Sequence, residues 1–129
     1  MTTTSLTAAL RACASGIYAL EAGTELLIAN GTFLRRSDFT GRFVLHGQND
    51  GLAAIDWETA ITALTSGELP CSGGEQRILK LAASLAAGIP VDLNDAVTGL
   101  DPHNSRLLVA AVLHASGQRR HHGHGVSEW

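Results

Sequence analysis

From Leu6 to Leu27, one set of positions returns in alternating steps of four and three: Leu6, Leu10, Cys13, Ile17, Leu20, Thr24 and Leu27. That spacing follows one face of an α-helix. It predicts a single long first helix of roughly 36 Å, at 1.5 Å rise per residue. Ala9, Gly16 and Gly23 recur one heptad apart beside this stripe, so a second helix could approach the backbone closely there. Each glycine costs about 1 kcal/mol relative to Ala inside a helix, which packing has to offset. Asn30-Gly31 supplies the stop, because both residues tolerate the left-handed conformation that ends helices.

Downstream the helical period continues in shorter pieces. Ser37 or Asp38 is expected to cap a short helix carrying Phe39, Phe43 and Val44; with Phe33, all three phenylalanines fall in this section and are expected to plug one end of the core. The run "HGQNDG" reads as a polar loop by its turn chemistry. Asp56 caps a helix through Thr65 with Trp57, Ala60, Ile61 and Leu64 to bury, closed by Gly67 and Pro70. Ser72-x-x-Glu75 is a capping box, in which each residue satisfies the other's backbone N–H. It opens a helix, Gly74 to Ala87, with Ile78, Ala82 and Leu85 on one face and Gly88-Ile89-Pro90 at its end. Asp92-x-x-Asp95 caps a very short helix, Leu93 to Thr98. Asp101-Pro102 then starts a last helix to Ala115, with proline at the first helical position, where its missing N–H does no harm. No strand-like alternation survives beyond four residues. The expected fold is all-α: one compact bundle of about five or six helices over residues 1–117. The Gly-rich, polar end, 118–129, is expected to be disordered.

A chain of 129 residues is one ordinary domain with a single core. Eight of nine basic residues are arginine, Lys80 being the only lysine, a bias that suggests a high-GC genome. A net charge of -3 provides no broad basic field, so bulk attraction to nucleic acid is not expected. Cys13 and Cys71 lie far apart without C-x-x-C spacing, which favours reduced core thiols over a disulfide or zinc site. The first residues lack a secretion signal and no apolar run has transmembrane length, so the expected location is cytosolic with no membrane partner.

The stretch "CSGGEQRILKLAASLAAGIPVDLNDAVTGLD", Cys71 to Asp101, resembles the back half of an ABC-type ATPase, with its SGGEQ signature and later D-E-x-T-S-x-L-D segment. Three features argue for local structure instead. No G-x-x-x-x-G-K-[ST] loop exists to cradle phosphate. The aspartate that should end a continuously apolar strand follows "GIPVDLN". The usual adjacent glutamate is Ala96. The same run, with "VLHASG" after it and "LLIANGTFLRRSDF" before it, also resembles small, uncharacterised, Ala/Arg-rich proteins of high-GC bacteria. That resemblance spans most of the chain and implies no activity.

Two sets of residues could carry a binding role. The last three predicted helices are arranged like a helix-turn-helix region, in which Arg77, His103, Asn104 and Arg106 would contact DNA. Asp101 and the apolar run after Arg106 argue against it. Arg35, Arg36 and Arg42 form the densest internal positive cluster and suit an anion or an acidic partner. The opposing reading is a solvated helix entry neutralised by Asp38 and Asp50. His46, Asp50, Asp92, Asp95, Asp101 and His103 have no metal-site spacing. His121, His122 and His124 suit adventitious transition-metal binding, and Trp129 a short docking anchor. No nucleophile–base pairing is legible, and no cofactor, metal site or catalytic residue is expected. The leading expectation is a non-enzymatic cytosolic helical module that binds an unidentified protein partner, with a homodimer through the first helix. A helix-turn-helix DNA-binding regulator is the alternative.

Overall fold

Seven α-helices, one 3-10 turn and a two-stranded hairpin make up the regular structure of the computed structural model, which describes residues 3–118 and only the backbone of residues 3 and 4. The chain is mostly helical, but the long first helix is in fact two. α1 (Thr3–Ala14) and α2 (Tyr18–Asn30) meet at a corner where Gly16 has φ 98°, a left-handed backbone that glycine adopts without a Cβ penalty. The Gly16 N–H donates to Glu21 Oε2 at 2.9 Å, which holds the corner. Bending there lets α1 pack on both α2 and the hairpin. The stripe is broken accordingly: Leu6, Leu10, Thr24 and Leu27 are buried, while Cys13 and Ile17 sit exposed at the corner. Ala22 and Leu26, which lie off the stripe, are buried instead.

Gly23 does mark a close approach, and the approaching helix belongs to the same chain. A Cβ there would lie 2.6 Å from Ala86 Cβ and would also strike the Ala82 carbonyl, both on α5 (Gly73–Ala87). Gly16 has nothing near it and serves only the bend.

The middle of the chain departs further from the expected pattern. Phe33–Arg35 is a 3-10 turn, followed by α3 (Ser37–Phe43). Neither Ser37 nor Asp38 caps α3; the cap position is Arg36, without a side-chain bond. Phe33, Phe39 and Phe43 are fully buried, with successive ring centroids 5.1 Å and 5.3 Å apart. Val44 leaves the helix for β1 (Val44–His46), which pairs antiparallel with β2 (Ala53–Ile55) in the register Val44↔Ile55, Leu45↔Ala54, His46↔Ala53. The polar run is the hairpin loop, with Asn49 and Gly51 at φ 66° and 70° and the Asp50 carboxylate accepting the Leu52 N–H at 3.0 Å. Strands of three residues are too short for alternation to show.

The later helices start where their caps predict. Asp56 accepts the Thr59 N–H at 3.2 Å to open α4 (Trp57–Thr65). At α5, Ser72 Oγ accepts the Glu75 N–H at 3.2 Å and Glu75 Oε1 accepts the Ser72 N–H at 2.8 Å. Asp92 caps α6 (Leu93–Val97), and Asp101 caps α7 (Pro102–Ala115) by accepting the Asn104 N–H at 2.7 Å. Gly31 and Gly88 end α2 and α5 in the left-handed conformation.

α2 is the hub, packed against α1, α5 and α7. α7 runs antiparallel to it, since Asn30 meets Asn104 at one end and Glu21 meets His114 at the other. One continuous core gathers side chains from Leu6 to Ala111. Among the described residues, no helix is long and apolar enough to cross a membrane.

Candidate functional site

From Leu107 to Leu113, α7 carries seven consecutive apolar residues, Leu-Leu-Val-Ala-Ala-Val-Leu. That is about two turns with no polar side chain on any side, the composition of a helix buried all round. α7 is not buried all round. Ala111 is buried, and Leu107 and Leu108 pack against the core. Val109 and Val112 are 48% and 50% exposed, with Ala110 exposed between them. Arg106 bounds this outer strip at one end and the Ser116 turn at the other. The helix's only other titratable side chain in that interval, His114, turns to Glu21 on α2.

The four candidate DNA contacts do not form one set. His103 and Arg106 are exposed near the start of α7. Asn104 is buried: its carbonyl oxygen accepts from Asn30 Nδ2 at 3.0 Å, and its amide nitrogen donates to Asp101 at 3.4 Å. No amide is therefore presented to a groove. Arg77 Nε donates to the Asp95 carbonyl at 3.4 Å, and its guanidinium lies 3.5 Å from where a Gly99 side chain would begin. It ties α5 to the α6–α7 segment.

The arginine cluster is likewise engaged within the fold. Arg36 makes a bidentate contact with Asp38, at 3.0 and 2.7 Å, and reaches Cys71 Sγ at 3.7 Å. The hydrogen bonds to Asp38 push the guanidinium pKa up, and those from Arg36 hold the Asp38 carboxyl below its usual value. Arg42 stacks over the Phe43 ring at 4.8 Å and donates to the Glu68 carboxylate at 3.1 Å. Glu68, not Asp50, is its partner. Both arginines thus clamp the segment between α4 and α5. Arg35 lies over the Gly31 turn, exposed and without an ion pair among the described residues. Burial pushes the Cys71 thiol up, keeping it in the protonated, weakly nucleophilic form.

A cleft of about 420 Å³ opens beside the α1–α2 corner, lined by Arg11, Ser15, Glu21, Thr24, Glu25 and His114 among others. Its charges face one another. Arg11 grips Glu25 at 2.7 and 3.1 Å, which raises the arginine's pKa, and His114 Nε2 lies 2.7 Å from Glu21 Oε1. The Tyr18 ring stands edge-on to His114 at 5.7 Å. A carboxylate holding an imidazole is the orienting half of an acid–base device. Ser15 lines the same cleft, with no hydrogen bond joining it to His114. Sequence reasoning missed this cleft. Glu21 and Glu25 share a helix face by spacing, but nothing local connects them to a histidine 93 residues away.

The Ser72 loop is a helix cap, and Asp95 sits in helix α6 instead of at the end of a strand. Among the described residues no three His, Cys, Asp or Glu side chains gather as a metal site requires. His121, His122, His124 and Trp129 lie outside the described residues. Comparison of the chain with protein-family models, curated proteins and solved structures gives no match.

Proposed function

We propose that the chain is a non-enzymatic helical protein-interaction module whose contact surface is the outer face of α7. The observation that carries this reading is Val109, Ala110 and Val112 standing exposed within two turns that hold no polar side chain. A lone exposed valine is ordinary on any protein surface; a charge-free strip along one helix is the composition found at interface centres. Covering it gains about 25 cal/mol for each Å² removed from water. The partner is a protein offering an uncharged apolar face, met in the cytosol. DNA binding finds less support, because Asn104 and Arg77 already serve the fold.

The 129-residue chain, immobilised as bait in extract of its native host, tests this. The wild type and a Val109→Asp/Val112→Asp variant are compared by quantitative mass spectrometry, with circular dichroism as the fold control. The expected result is a set of proteins retained by the wild type and lost from the variant. Identical retention by both, or a sequence-specific shift of duplex DNA by the wild type, would overturn the reading.

A further inference from the structure

We infer that the cleft beside the α1–α2 corner binds a small primary amine in its ammonium form. The inference is independent of the reading of α7 as a contact face. It starts from Thr24. That residue is only 4% exposed, it lines the cleft, and among the described residues no hydrogen bond reaches its hydroxyl. A threonine within a helix can bond a carbonyl one turn back. Thr40 and Thr65 do so, to the Arg36 and Ile61 carbonyls at 3.2 and 2.9 Å. Thr24 does not. A hydroxyl sealed from water without a partner is costly, and among the described residues no side-chain polar atom is left in that state. The Thr24 hydroxyl therefore opens into the cleft, a polar group on an otherwise buried residue.

Three helices wall the space around it. Glu21, Thr24 and Glu25 share one face of α2 by their spacing of three and four residues. Arg11 contributes from α1 and His114 from α7. At about 420 Å³ the cleft has the size of a small-molecule site between helices. Its charge selects the sign of the ligand. Two glutamates against one arginine leave one net negative charge, with His114 counted neutral. An anion would have to take Arg11 from Glu25, which holds it through both Nε and Nη2. A cation needs no such exchange. Each Glu25 carboxylate oxygen accepts one Arg11 N–H and keeps a second lone pair. A primary ammonium brings three N–H donors, and the Thr24 hydroxyl and the Glu25 carboxylate offer it acceptors. A catalytic or structural metal ion would need at least three side-chain ligands together, and no three His, Cys, Asp or Glu side chains gather among the described residues.

Titration of the ¹⁵N-labelled 129-residue chain with ethanolamine, followed by amide shifts at constant pH and ionic strength, tests this. The expected result is saturable shifts at Thr24, Glu25 and His114, with a Kd of about 1–10 mM for so small a probe. Sodium acetate, which has the wrong sign, and tetramethylammonium, which has the charge but no N–H donor, should not saturate. Thr24→Val removes the hydroxyl at nearly constant shape and should weaken ethanolamine binding by about fivefold or more, whereas Thr24→Ser should retain it. Glu25→Gln, on the half-exposed wall, should weaken it by a similar factor and serves if Thr24→Val disturbs the fold. The Val109→Asp/Val112→Asp variant should bind ethanolamine like the wild type, which separates this site from the α7 surface. No saturation by ethanolamine up to about 100 mM overturns the inference. So does equal saturation by acetate or tetramethylammonium, or unchanged affinity in folded Thr24→Val and Glu25→Gln.

Discussion

α2 and α7 are antiparallel neighbours of 13 and 14 residues, both rich in apolar side chains, yet they end in different surroundings. α2 has α1, α5 and α7 around it, and Ala22 and Leu27 lose all contact with solvent. It even omits a side chain at Gly23 so that α5 can come close. α7 leans on α2 and the margin of α5, and its apolar residues continue past the last neighbour into solvent. Hydrophobic content is thus matched to neighbours in one helix and exceeds them in the other. That excess is the ground on which α7 is proposed as the contact surface.

Substitutions along the two helices can break or sharpen this contrast. The largest effect is expected at the α2 core, where Leu27→Ala removes a fully buried side chain and should cost about 2–5 kcal/mol in urea unfolding. A cost near zero would mean that α2 is not the hub. Gly23→Ala comes next. Ala is the better helix former by about 1 kcal/mol, but the new methyl has nowhere to go against Ala86 Cβ and the Ala82 carbonyl. Overpacking of about 1–3 kcal/mol should prevail and lower the melting temperature. A more stable Gly23→Ala would show that α5 can retreat.

On α7 the two sides should respond differently. Asn104→Ala, on the inner side, takes the acceptor from Asn30 and should cost about 1–3 kcal/mol, whereas Arg106→Ala on the outer side should stay within about 0.5 kcal/mol. Equal costs would erase the distinction between the faces. The α5 cap offers a reference that depends on neither helix: Ser72→Ala should destabilise by about 0.5–2 kcal/mol without altering any affinity for nucleotide. Saturable Mg-ATP binding by the wild type would reopen the ATPase resemblance. The smallest expected change is Val112→Thr, within about 0.5 kcal/mol in urea unfolding, because the side chain is half exposed.

The helix starts at Asp56, Ser72, Asp92 and Asp101 were legible in the sequence because a cap is completed within three residues of itself. The same holds for the stops at Gly31 and Gly88. The candidate site was only partly legible. The apolar run of α7 can be read directly, but a run apolar on all sides contains no signal for which side turns inward. Asn104 shows the consequence, since its neighbours in sequence suit a groove reader and its neighbours in space make it an internal bridge to Asn30.

The amino-acid sequence by itself therefore determined the later helices, their caps and their ends, all of which are closed by interactions within about one turn of the chain. Tertiary structure decided the rest. The bend at Gly16 interrupts a period that runs on through it, and it places α1 against the hairpin as well as α2. The hairpin formed from strands too short to announce themselves. Arg42 found Glu68 and His114 found Glu21 across 26 and 93 residues. Which face of α7 remained in water was set by where α2 and α5 stopped covering it, a boundary that no residue of α7 encodes.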